Sequence, residues 1–170
     1  MTNSSLVSGT VLGFNEHETV NIDNVIIDSS FIRNNSTVNN FKMVNSTIKN
    51  IEDQFFYISA VDLLIDNCQF TDNYSKNALF NLSANATLKI TNSQFRNNTQ
   101  PNEYTSSLIS QSTDTNVAIT LSNVIFEKNS GGPLFKESSK ETSTVFFDKV
   151  TAKDNFIHAN IGEKAMFAFS

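Results

Sequence analysis

The sequence predicts an all-β fold, a right-handed single-stranded parallel β-helix (a β-solenoid) of about six coils of three short strands. Three observations predict it. A core pattern recurs along the chain: apolar, any, Asn, small, any, apolar, any, any, Asn. The spacing between copies varies while the pattern holds, which suits a solenoid whose loops grow between short strands and not a helical repeat, where both helices must pack. No long window carries a helical period, so helix content is expected near zero.

The copies run in order. The first is Ile22, Asn24, Val25 and Ile27, with Ser30 in the last slot; a register shifted to Ile27 and Ile32 also fits there. The second is Met43, Asn45, Ser46 and Ile48, with Ile51 last. The third is Ile65, Asn67, Cys68, Phe70 and Asn73, and the fourth Ile90, Asn92, Ser93, Phe95 and Asn98. The fifth, Leu121, Asn123, Val124, Phe126 and Asn129, is the clearest. The sixth is degenerate: Phe147, Lys149, Val150, Ala152 and Asn155. From Asn24 through Asn45, Asn67 and Asn92 to Asn123 the steps are 21, 22, 25 and 31 residues.

A third strand falls between copies, at FFYIS (55–59), ALF (78–80), SLI (107–109), PLF (133–135) and AMF (165–167). VLGF (11–14) is the first short strand. Residues 1–10 are polar and unpatterned and read as a loose lead-in or the end of a preceding loop, so the β-helix domain is expected over 11–170.

Coils stacked as parallel strands place equivalent residues roughly 4.8 Å apart, like upon like. Ile27, Ile48, Phe70, Phe95 and Phe126 should form one inward column, and Phe80, Ile109 and Phe135 another. The turn asparagines have their own logic. A sharp bend often needs φ > 0, which Asn tolerates, and amides stacked at coil spacing can bond as a ladder. One structural ladder is expected at Asn24, Asn45, Asn67, Asn92 and Asn123, and a second at Asn73, Asn98, Asn129 and Asn155. Gly131-Gly132 should permit a bend between sheets.

Composition bounds the partners. The 170 residues suit one domain, with net charge −5 and pI near 4.9. That balance argues against nucleic acid and anionic membranes, which need clustered Lys and Arg. No apolar run approaches a membrane span, and MTNSSLVSGT lacks the basic and apolar regions of a signal peptide. The apolar ending GEKAMFAFS suggests an interior piece of a longer secreted chain. Cys68 is the single cysteine. It shares its slot with Val25, Ser46, Ser93, Val124 and Val150, so it reads as a small packing residue and not a nucleophile.

FEKN (126–129) followed by GGPL (131–134) resembles the paired motif of the polymorphic outer-membrane-protein repeats, Phe-any-any-Asn then Gly-Gly-any-aliphatic. FTDN (70–73) and FRNN (95–98) match its first half, while NALF and SSLI lack the Gly pair. More broadly, residues 20–170 resemble the pectin-lyase-like parallel β-helix superfamily. The resemblance implies the fold and, for the outer-membrane-protein repeats, surface display and adhesion. It implies no single activity, because the superfamily holds lyases, hydrolases, adhesins and stalks.

The chemistry that its polysaccharide-cleaving members carry is not found. His17 and His158 lie near opposite ends, unflanked by Gly. Asp23, Asp66 and Asp148 share one outward slot but not in adjacent coils, since Val44, Thr91 and Ser122 intervene. Glycosidic chemistry needs two carboxylates about 5–10 Å apart. No Cys/His spacing fits zinc and no Asp-rich loop fits calcium. No catalytic, cofactor-binding or metal residue is therefore assigned.

Asn-any-Ser/Thr marks Asn35, Asn81, Asn85 and Asn97 as candidate glycosylation sites, with Asn45 and Asn73 expected to be blocked as ladder residues. The reading is a non-catalytic structural or adhesive module, extracellular or on a cell surface, whose partners are like subunits or further coils stacked end to end, and glycans. The alternative is a carbohydrate-binding or polysaccharide-cleaving β-helix, its ligand loop at 99–106 and 110–117 with Tyr104 stacking on sugar. An intracellular scaffold is a third option.

Overall fold

The computed structural model describes residues 1–7, 11–14, 19–34, 38–52, 56–57, 60–75, 78–82, 86–101, 107–111, 116–137, 143–157 and 167–169. Every regular element among them is a strand. The first core copy and its approach hold β1 (Thr2–Val7), β2 (Val11–Phe14), β3 (Thr19–Asp28) and β4 (Phe31–Asn34). The second copy holds β5 (Val38–Val44), β6 (Thr47–Lys49) and β7 (Phe56–Tyr57), and the third β8 (Ala60–Asp66), β9 (Gln69–Thr71) and β10 (Phe80–Leu82). Then come β11 (Thr87–Thr91), β12 (Gln94–Arg96) and β13 (Ile109–Gln111). The fifth copy has β14 (Ala118–Ser122), β15 (Ile125–Glu127), β16 (Ser130–Gly131) and β17 (Phe135–Glu137). The sixth has β18 (Thr144–Asp148), β19 (Thr151–Lys153), β20 (Phe156–Ile157) and β21 (Phe167–Phe169).

The chain is a parallel β-solenoid. One twelve-stranded sheet runs β18-β14-β11-β8-β5-β3-β6-β9-β12-β15-β19, with β1 on β3. It is two faces joined at the first coil. The first half of β3 pairs with β5 and its second half with β6, because β3 passes unbroken through the corner at Asn24. The third face is β10-β13-β17-β21, with β2-β4-β7 before it. The solenoid makes about four turns, fewer than the six core copies suggest. Among the described residues the third face pairs in two separate runs, and the longer one holds four strands, β10-β13-β17-β21.

Two further expectations shift. The third-face strands start at the last residue of each predicted triplet: Phe80, Ile109, Phe135 and Phe167. Before Phe80 and Ile109 the chain makes corner bonds instead, Leu79 N–H to Leu108 O at 2.9 Å and Leu108 N–H to Pro133 O at 3.2 Å. And the lead-in is not loose over Thr2–Val7. It forms β1, set on β3 from Thr2 opposite Asp23 to Val7 opposite Asp28.

The core follows the period of two. Strand β11 alternates exposed and buried, with Leu88 and Ile90 inward, and β14 does the same with Ile119 and Leu121. The predicted column is continuous in register: Ile27, Ile48, Phe70, Phe95, Phe126. Each of the five is fully buried. The rings of Phe70 and Phe95 stack at 4.8 Å and 6°, and those of Phe95 and Phe126 at 5.0 Å and 17°. Phe80 meets Phe70 edge-on at 5.3 Å from the third face. Stacked and T-shaped pairs of this kind add about 0.5–1.5 kcal/mol each beyond area burial.

Gly131 is the glycine that the bend needs. It sits at φ 128, and a Cβ there would lie 2.5 Å from Gln100 Cβ and 2.8 Å from its carbonyl oxygen. Only glycine allows both the backbone angle and that approach.

Candidate functional site

The repeated asparagines form two columns, and they differ. The outer column brackets the start of the short second-face strands. Asn24, Asn45, Asn67, Asn92 and Asn123 all have φ between 51 and 55, and Lys149 continues them at 53. All five asparagines are exposed. Their backbone N–H groups donate up the stack, for example Asn67 N–H to Thr91 O at 3.1 Å and Asn123 N–H to Asp148 O at 2.8 Å.

The side chains of this column do not make the unbroken ladder expected. Asn67 Nδ2 donates to Asn45 Oδ1 and Asn123 Nδ2 to Asn92 Oδ1, both at 2.9 Å. But Asn45 Nδ2 donates to Asp23 Oδ1 at 3.0 Å and Asn92 Nδ2 to Asp66 Oδ1 at 2.9 Å. An ionised carboxylate one position away is a stronger acceptor than a carboxamide, so the amide turns to it where one is present. At the other end Asn24 Nδ2 reaches Asn3 Oδ1 at 2.6 Å. Asn3, itself at φ 49, is a rung that sequence reading missed. Its signal was the offset of 21 residues to Asn24, the same as from Asn24 to Asn45.

The inner column is a ladder in full. Asn73, Asn98 and Asn129 are buried, at 2%, 1% and 2% exposure. Asn73 Nδ2 donates to Asn98 Oδ1 at 2.8 Å, Asn98 Nδ2 to Asn129 Oδ1 at 2.9 Å, and Asn129 Nδ2 to Asn155 Oδ1 at 2.9 Å. Each acceptor oxygen also takes the backbone N–H of the residue one level down, at 3.3, 3.0 and 2.9 Å. The second amide hydrogen points the other way, to Ile48 O from Asn73, Phe70 O from Asn98 and Phe95 O from Asn129. So each carboxamide ties three levels and leaves no buried donor unpaired.

These inner asparagines do not have positive φ, which corrects the expectation that both columns bend the chain. The bend belongs to the residue before each: Asn50, Asp72, Asn97, Lys128 and Asp154, and Ser29 in the first coil. The side chain that must enter the core cannot also be the exposed corner. The ladder starts at Asn73, whose Oδ1 accepts Ile51 N–H at 3.1 Å.

The acid slot is as read from sequence. Asp23, Asp66 and Asp148 face outward, half-buried, in coils that are not adjacent. The hydroxyl of Thr91 holds the Asp66 carboxyl below the usual carboxylate range, with help from Asn92, against a burial effect that raises it. Asn50 and Lys49 hold Asp28 low in the same way. A general acid needs the opposite shift. Burial pushes the Cys68 thiol up to about 11, and its sulfur donates to Asp66 O at 3.3 Å. It packs as its slot predicts.

Among the described residues no group of three or more His, Cys, Asp or Glu could hold a metal, and no helix is long and apolar enough to cross a membrane. Tyr104, Asn35 and Asn85 lie outside the described residues, as does the side chain of Asn81. Asn97 is exposed, with Nδ2 on Asp72 Oδ1 at 3.2 Å. Asn73 is blocked by burial, but Asn45 is exposed and held only by its hydrogen bonds.

The described residues place a shallow groove elsewhere than the Tyr104 loop. It encloses about 360 Å³ on the outer side of β3, β5, β8 and β11. Asn21, Lys42, Leu64 and Lys89 form one row across it, and Asn40, Asp62 and Thr87 the next. The two rows set amide, ammonium, hydroxyl and carboxylate groups around an apolar floor lined by Phe41, Leu63 and Leu64. No protein-family model, curated protein or solved structure matches the chain.

Proposed function

We propose that the chain is a non-catalytic structural or adhesive module of a cell-surface protein or extracellular filament, stacked against like subunits or further coils. The observation that carries the reading is the use made of the repeated polar residues. The inner asparagines bond to the coils above and below them, and most outer ones to neighbouring coils, so the repeat's chemistry goes into holding the stack. Among the described residues, the two carboxylates with shifted titration are held ionised. Glycans on exposed sequons such as Asn97 would suit that location. The test pairs two measurements. Surface labelling of intact cells should reach the protein, and screens on polyuronides and neutral polysaccharides should show no turnover. Turnover that an Asp→Asn change abolishes would overturn the proposal.

A second reading, carbohydrate binding, is favoured by the groove over β3, β5, β8 and β11. Its apolar floor beneath a rim of Asn21, Lys42, Asp62 and Lys89 suits the apolar face and the hydroxyls of a sugar ring. Glycan-array binding lost on Lys42→Ala with Lys89→Ala would favour it over a purely structural role.

A further inference from the structure

The last coil differs from those beneath it in what its rim offers. Its inward column residue Phe147 is 37% exposed, and Ala152, which continues the column Phe70, Phe95, Phe126, is exposed where its predecessors are fully buried. Asn155 donates one amide hydrogen to Phe126 O at 2.9 Å. In the three rungs below, the second amide hydrogen and the backbone N–H both go to the next carboxamide oxygen. For Asn155 the two have no acceptor among the described residues, and by the geometry of the ladder they address one point a level above. Beside it, the outward column Asp28, Lys49, Thr71, Arg96, Glu127, Lys153 pairs opposite charges, Lys49 on Asp28 at 3.1 Å and Arg96 on Glu127 at 3.0 Å. It ends on Lys153, an exposed cation whose Nζ stands 3.9 Å from the equally solvent-facing Asp154 Oδ2.

We infer that the rim 144–155 is a strand-addition site for one further parallel coil bearing an acid over Lys153 and an asparagine over Asn155. Glu127 and Asn129 supply that pair one level down. Backbone pairing supplies general affinity in such an addition, and the side-chain slots supply choice. The first coil of a second copy is a poor occupant. It would put Val7 over Lys153, because Val7 stands at the Asp28 level of that column, and two residues on the chain has Gly9, without a side-chain acceptor. The inference rests on the stacking part of the proposed function and narrows it to a different coil of this repeat type.

The probe is a labelled peptide with the sequence of residues 118–137, AITLSNVIFEKNSGGPLFKE, titrated into the whole chain. Saturable binding at one peptide per chain is expected. Replacing its asparagine at the Asn129 position by alanine should weaken binding about tenfold, since two donors on Asn155 then stay unpaired. Lys153→Glu in the protein should weaken the native peptide and restore binding to one with Lys at the Glu127 position. Lys153 is an exposed side chain, so this variant keeps its fold even if Asn155→Ala loosens the coil. No binding, or binding indifferent to both changes, overturns the inference while leaving surface location and lack of turnover untouched. Concentration-dependent self-association blocked by deleting residues 1–7 also overturns it, in favour of a second copy.

Discussion

The two asparagine columns use one residue type for opposite purposes. The outer asparagines are exposed and serve through backbone angle; their amides take whichever neighbour is best, Asn3, Asp23, Asn45, Asp66 or Asn92. The inner asparagines are buried and serve through the carboxamide, which alone supplies an acceptor upward-facing N–H groups can share and donors in both directions. Lys149 replaces Asn in the outer column without losing the positive φ. In the inner column Ser30 and Ile51 stand only below the ladder's first rung. Corner geometry therefore tolerates substitution, whereas a ladder rung tolerates it only at an end.

The largest effect should come from the middle of the inner ladder. Asn98→Ala removes the acceptor of Asn73 N–H and Nδ2 and the donor to Phe70 O. With buried groups left unpaired at about 1–3 kcal/mol each, a loss of about 3 kcal/mol or more is expected. Asn73→Leu, at the ladder's foot, should cost less, because an apolar residue already fills that slot at Ile51. Denaturant midpoints at unchanged slope would measure both. Equal costs would mean that the ladder has no cooperative middle.

A smaller effect is expected outside. Asn92→Ala puts an ordinary residue at φ 51 and drops two exposed hydrogen bonds, to Asp66 and from Asn123, about 1–2 kcal/mol in all. Asn92→Gly should recover most of it, since glycine reaches that angle freely. If glycine proved no better than alanine, the side-chain bonds and not the angle would be what the outer column provides.

How far these columns were legible follows from their physics. The inward columns and the ladder memberships were readable because stacking demands the same residue type at each level, and that demand leaves a repeat. Which residue turns the second corner was not, because Ser29, Asn50, Asp72, Asn97, Lys128 and Asp154 share only exposure and a left-handed angle. The strong Asn signal beside them drew the reading one position too far. The groove was invisible for a related reason. Its row, Asn21, Lys42, Leu64, Lys89, faces solvent, where nothing forces like upon like. The number of turns was overread because the core pattern reports two faces and says nothing of closure on the third.

Acid should expose the carboxylates that the outer amides lean on. Asp66 is held below its ordinary range by Thr91 and Asn92. A carboxyl lowered in the folded state adds stability that is present above its unfolded value, near 4, and is lost as pH falls through the folded one. Stability should therefore decline from about pH 5 downward. Asp66→Asn should flatten part of that decline while leaving the neutral-pH value little changed, because its Oδ1 can still accept from Thr91 and Asn92. A decline of unchanged steepness would assign the acid sensitivity to other carboxylates.

The smallest effect tests whether the outer charges matter to the stack at all. Arg96 and Glu127 meet at 3.0 Å across two coils, with the arginine side chain 44% exposed and the glutamate 20%. At that exposure solvent screens the pair and side-chain entropy opposes it, so a double-mutant cycle should give about 0.5 kcal/mol, shrinking in 1 M salt. A coupling of that size cannot hold coils together, but it can choose between registers. Sliding the strands by one residue would set Arg96 against Phe126 or Lys128 instead of Glu127. If the coupling equalled the cost of a ladder rung, the division between an inner column that binds the coils and an outer one that only shapes them would fail.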